Sequence, residues 1–169
     1  AMPAIAEDAD TNSLLRAGRQ ALTKGDYIQA ESYLQGALYS AMQAGASDEK
    51  MVLIVGDLGV ALLSQGRHSE AEPFLNRAVA VLQSRASTNP QYLPIVLGNL
   101  ARLYEQTGQL QRSEAVLRRA LKLAKQTLKD RPLVLADLQG SLGVLHFKAG
   151  KRKRAERDLR KALALVETS

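Results

Sequence analysis

The chain has 169 residues, 46% apolar and 4% aromatic, which is long enough to bury one continuous core and too apolar for disorder. It contains no cysteine, so disulfides, thiolate metal sites and cysteine nucleophiles are excluded and the redox compartment is unread. The net charge of +6 is unevenly placed: residues 1–84 carry 6 basic and 10 acidic side chains, residues 85–169 carry 17 basic and 7 acidic.

Few aromatics beside abundant Ala, Leu and Gly suit closely packed helices better than sheets. Residues 1–10 read as an acidic N-terminal tail; they lack the basic start and apolar stretch of a signal peptide, and Ala1-Met2 reads as a cloning remnant. A removed leader or upstream domain is left open, and the location with it, the cytoplasm being slightly favoured. The apolar run at 51–63 is broken by Asp57 and is too short to cross a bilayer.

From residue 11 onward the chain repeats itself. A Gly is followed by a small residue at +5, Leu at +9 and Ala at +12: Gly25, Ala30, Leu34, Ala37; Gly66, Ala71, Leu75, Ala78; Gly108, Ser113, Leu117, Ala120; Gly150, Ala155, Leu159, Ala162. The glycines are spaced by 41, 42 and 42 residues. Seven residues before each stands a small residue, Gly18, Gly59, Ala101 or Gly143, followed three residues later by Ala21, Leu62, Tyr104 or His146.

Two helices per repeat account for both patterns. The small residue admits the second helix, the residue three positions on fills the same face, and the inter-helix Gly adopts positive φ at the helix end. The predicted repeats are 11–47, 48–88, 89–130 and 131–169. Their connections fall at 44–48, 85–90 and 129–132, with Asn89-Pro90 and Asp130 or Arg131 before Pro132 as N-cap and first helical residue. Pro73 and Pro94 are each expected near the first turn of a helix, shifting its start or bending it.

These spacings resemble tetratricopeptide repeats over about residues 11–167. Residues 97–120, LGNLARLYEQTGQLQRSEAVLRRA, are most similar to the longer variant of kinesin light chains. The family's tryptophan is replaced by Leu14, Val55, Leu97 and Gln139, and its terminal proline is absent. The resemblance implies an all-α fold, a right-handed α-solenoid superhelix of four hairpins, acting as a non-enzymatic scaffold. It implies that first-helix residues line a concave groove for a peptide or partner domain. Those residues are Asn12, Arg16, Arg19 and Thr23; Asp57, Val60 and Ser64; Asn99, Arg102 and Gln106; Ser141, Val144 and Lys148. The carboxylate clamp of chaperone-binding members is mostly missing: Leu15, Arg19, Asp57, Ile95 and Asn99 stand there, and Asp57 would repel a carboxylate.

No catalytic, metal or cofactor motif is present. His68 with Glu72 four residues on is a weak metal pair, outweighed by a solvated turn histidine. His146 reads as a packed ring with one nitrogen hydrogen-bonded. The basic run Lys151, Arg152, Lys153, Arg154, Arg157, joined by Lys148, Arg160, Lys161 and cations of the third repeat, offers a runner-up function as a platform for nucleic acid or another acidic surface. It lacks interleaved aromatics for base stacking, so a solvated outer face is the simpler reading. A third function is self-assembly through the array's ends. Residues 162–166 are nearly all apolar and no polar capping helix follows them, so Leu165 or Val166 is expected to meet another copy, a partner or further chain.

Overall fold

The computed structural model describes residues 4–84 and 91–167. They form eight helices and, among the described residues, no strand: α1 (Ala4–Lys24), α2 (Tyr27–Gln43), α3 (Asp48–Ser64), α4 (His68–Ser84), α5 (Tyr92–Gln106), α6 (Leu110–Thr127), α7 (Pro132–Lys148) and α8 (Arg152–Glu167). Two compact units result, residues 1–84 and 85–169. In the first, α1 pairs with α2 and α3 with α4, and α3 stacks on α2 and α1; in the second, α5 pairs with α6 and α7 with α8, and α7 stacks on α6 and α5. The fold is all-α, built of solenoid-type helical hairpins.

Each hairpin turns on its predicted glycine. Gly25, Gly66, Gly108 and Gly150 have φ between 72° and 77°. The N–H after each glycine closes back onto a carbonyl five residues earlier: Asp26 to Ala21, Arg67 to Leu62, Gln109 to Tyr104, Lys151 to His146, at 2.7–3.0 Å. These are the bonds of a Schellman helix end, which needs the left-handed residue that glycine supplies without strain. A fifth positive-φ glycine, Gly45, ends α2 in the same way, Ala46 N–H donating to Ala41.

The small residues sit where the paired helices approach most closely. A Cβ added at Gly18 would lie 2.7 Å from Leu34, at Gly59 2.8 Å from Leu75, and at Gly143 2.8 Å from Leu159. Ala101, the fourth member, is fully buried and its carbonyl accepts a 2.7 Å bond from the Ser113 hydroxyl, which satisfies that buried polar group.

Helix starts differ from expectation in two places. α1 begins at Ala4, inside the stretch read as a tail: residues 4–10 lack the apolar repeat, but alanines with acids near a helix N-terminus support helix without it. Pro73 is the sixth residue of α4, past the first turn, so it removes one intrahelical bond, whereas Pro94 is the third residue of α5, where no donor is lost. Arg131 is the N-cap of α7 with Pro132 following, yet makes no side-chain cap bond. The Asn89-Pro90 start lies outside the described residues. None of the helices among the described residues is long and apolar enough to cross a membrane.

Candidate functional site

In the first unit, Arg19 on α1 donates through Nε to Asp57 Oδ2 on α3 at 2.6 Å. Asp57 is therefore paired, and the repulsion expected of it toward a carboxylate is largely cancelled by its neighbour. Burial pushes the Asp57 carboxyl above the ordinary carboxylate range, against the pull of Arg19. Beside the pair is a 470 Å³ cavity lined by Asn12, Leu15, Arg16 and Arg19 of α1 with Ser47, Lys50 and Leu53. Thr23 instead bonds its own helix, donating to the Gln20 carbonyl at 2.8 Å. Val60 and Ser64 are half-buried on α3 and line neither this cavity nor the next.

The second unit holds a larger groove of 660 Å³. α5 contributes Ala101, Arg102 and Glu105; α7 contributes Leu133, Ala136, Asp137, Gly140, Ser141 and Val144; Leu163 and Val166 of α8 complete its apolar wall. Of the predicted groove residues, Arg102, Ser141 and Val144 meet here, while Asn99 and Gln106 do not line it. Lys148 forms an ion pair with Glu105, tying α7 to α5 beside the groove. Val166, expected at an edge, shares this groove with Arg102; Leu165, its neighbour, is half-buried. The edge and the groove thus meet in α8, which the linear repeat does not disclose because it treats first and second helices separately.

His146 is not singly bonded, as the sequence suggested. It is fully buried, with Nδ1 donating to Asp158 Oδ2 at 2.7 Å and Nε2 lying 3.3 Å from Glu114 Oε1. Arg157 Nε reaches Asp158 at 3.3 Å, and Glu114 also accepts from Lys151 at 2.8 Å and Arg118 at 2.8 Å. These hydrogen bonds, that of Lys151 foremost, hold the Glu114 carboxyl down at about 2. A signal was present: Asp158 stands where the other hairpins have Tyr33, Phe74 and Val116, and His146 is another departure in the same hairpin. Two polar departures on facing helices compensate each other.

The basic run is partly committed. Lys151 and Arg157 serve this buried cluster, whereas Arg152, Lys153 and Arg154 are exposed. His68 is half-buried at the start of α4, and no group of three His, Cys, Asp or Glu residues among those described is arranged to hold a metal ion.

Comparison with known proteins agrees with this geometry. The tetratricopeptide repeat family model matches residues 10–84 and 92–168, the two units. Solved structures with the same fold include BtubC (BKLC) from P. vanneervenii, with 19% identity, TM-score 0.75, and coverage of 97% of this chain and 75% of that one. Aspartyl phosphate phosphatase F from Bacillus subtilis is 10% identical with TM-score 0.80, covering 98% of this chain and 42% of that one. MamA from Desulfovibrio magneticus RS-1 is 17% identical with TM-score 0.65, covering 94% and 77%. No curated protein sequence matches. Four in-register hairpins, their positive-φ glycines and a family match over both units place the chain in the tetratricopeptide repeat family.

Proposed function

We propose that this protein is a non-enzymatic interaction scaffold whose second unit holds a peptide or helix of a protein partner in the groove between α5 and α7. The family is one of protein-interaction scaffolds, and the 660 Å³ groove is the observation that carries the finer reading. Leu133, Val144, Leu163 and Val166 offer an apolar surface to anchor side chains, while Arg102, Asp137 and Ser141 offer a donor, an acceptor and a hydroxyl for orientation. Leu133 and Val144 are largely exposed, so a partner would remove apolar surface from water at the groove. The smaller cavity of the first unit, with Arg16, Arg19 and Lys50 around two leucines, would by itself suit an acidic segment.

His146 does not support catalysis, because both ring nitrogens are engaged and the side chain is shut off from solvent. The exposed Arg152, Lys153 and Arg154 are the remaining support for an acidic-surface function, without aromatic partners for bases.

The test is affinity capture with the intact chain and with Val144→Glu/Arg102→Ala, followed by titration of the captured partner. Loss of the partner with unchanged helicity is the expected result; equal retention by both proteins would move the binding site out of this groove.

A further inference from the structure

α8 repeats the pattern of α6 without the cover that α6 receives. In α6, Leu117, Leu121 and Ala124 face the following hairpin and are 2%, 7% and 0% exposed. The equivalent residues of α8, Leu159, Leu163 and Val166, are 43%, 58% and 50% exposed, and Phe147 of α7 beside them is 64% exposed. Phe147, Leu159 and Leu163 line a shallow 460 Å³ depression with Arg152, Glu156 and Arg160. A face of this kind is built to receive a helix.

Charge decides which helix. Although α8 is strongly basic, helix geometry at 100° per residue sends Lys153, Arg154, Arg157 and Lys161 to the side opposite the apolar stripe. Arg152, Glu156, Arg160 and Glu167 flank the stripe instead, two cations and two anions, with Arg160 and Glu156 paired at 2.6 Å. The edge is therefore locally neutral, and the two signs without an ion pair among the described residues are separated, Arg152 at the start of the stripe and Glu167 at its end.

We infer that this face binds the same face of a second copy of the chain, the two α8 helices running antiparallel about Leu159 and Leu163. That arrangement places Arg152 of one copy beside Glu167 of the other, twice, and buries the stripe against itself around a two-fold axis. The head-to-tail alternative, a first hairpin stacked on α8 as α7 stacks on α6, is disfavoured by charge. In both units the residue after the turn glycine of the stacked hairpin, Arg67 or Lys151, bonds a Glu six residues past the previous turn glycine, Glu31 or Glu114. Head-to-tail stacking would bring Asp26 to Glu156 at that position. Leu163 and Val166 also wall the groove of the proposed function, but self-association is read from mass and does not depend on that function.

Sedimentation velocity and light scattering over a wide concentration range test it. The expected result is a reversible approach to the mass of two chains, with no larger species. Leu163→Glu/Val166→Glu should remain monomeric with unchanged circular dichroism, since both side chains are half-exposed or more and neither supports the hairpin alone. Arg152→Glu and Glu167→Arg should each weaken the dimer at low salt, and the double reversal should restore it. A chain that stays monomeric at the highest concentration, an open-ended series of oligomers, a dimer indifferent to Leu163→Glu/Val166→Glu, or a double reversal that fails to restore association would each overturn the inference.

Discussion

The two units solve one problem with different chemistry. Stacking one hairpin on another leaves a polar contact between the second helix of the first and the turn of the next. In the first unit Glu31 meets it with Gln65 at 2.8 Å and Arg67 at 2.6 Å, and Arg67 also bonds Glu70 near the surface. In the second unit Glu114 meets Lys151 at the same place, but the contact continues inward through His146 to Asp158. Both latches are part-buried where hairpins meet, but only the second continues to a fully buried His146 and Asp158. A solvated ion pair adds little to stability, whereas a buried hydrogen-bonded pair is costly to break and cheap to replace whole.

The comparison predicts unequal mutational costs. His146→Ala leaves the Asp158 carboxylate buried with only Arg157 near it and should cost about 3–5 kcal/mol in denaturant unfolding. The double change His146→Leu/Asp158→Val should recover most of that loss, because an apolar pair of similar volume restores packing without a stranded charge. If the double variant were no more stable than the single one, the cluster would owe its role to shape and not to charge compensation.

Overpacking the seam comes next. Gly59→Leu places a side chain against fully buried Leu75, and should lower unfolding stability by about 1–3 kcal/mol. Equal melting of variant and parent would mean that the helices of this hairpin can separate freely.

Acid should act on the units with opposite signs. Glu114 is held at about 2 against an ordinary 4.5, so its stabilising contribution is complete above the ordinary value and is lost as pH falls toward 2. Asp57 is raised, so its ionisation opposes folding and protonation on acidification relieves that cost. The stability gap between the parent and Glu114→Gln should therefore shrink as pH falls through this range, while Asp57→Asn should gain most relative to the parent at neutral pH. Parallel pH profiles for all three proteins would contradict the assignment.

The smallest effect belongs to the latch of the first unit, whose Arg67 is partly solvated. Arg67→Ala should cost only ~0.2–1 kcal/mol, diminishing in high salt. A loss comparable with that of His146→Ala would erase the distinction between the two latches.

The repeat itself was legible in the linear chain because its causes are local. A positive φ needs glycine at residues 25, 66, 108 and 150, and a close helix crossing needs a missing or minimal side chain at 18, 59, 101 and 143; both requirements recur at one period. Helix type, hairpin number and seam positions follow from residues within one repeat. What only the tertiary structure decided lies between helices of different repeats: that Arg19 neutralises Asp57, that Lys148 is tied to Glu105, and that Glu114, His146 and Asp158 form one buried cluster. It also decided that Val166 of a second helix walls the same groove as Arg102 of a first helix. Side-chain charge is printed in the sequence, but whether it is paired depends on distances across 30 or more residues of chain, such as the 38 between Arg19 and Asp57 and the 32 between Glu114 and His146. Those distances are set by how hairpins stack, a property of buried surfaces acting together and not of any local pattern.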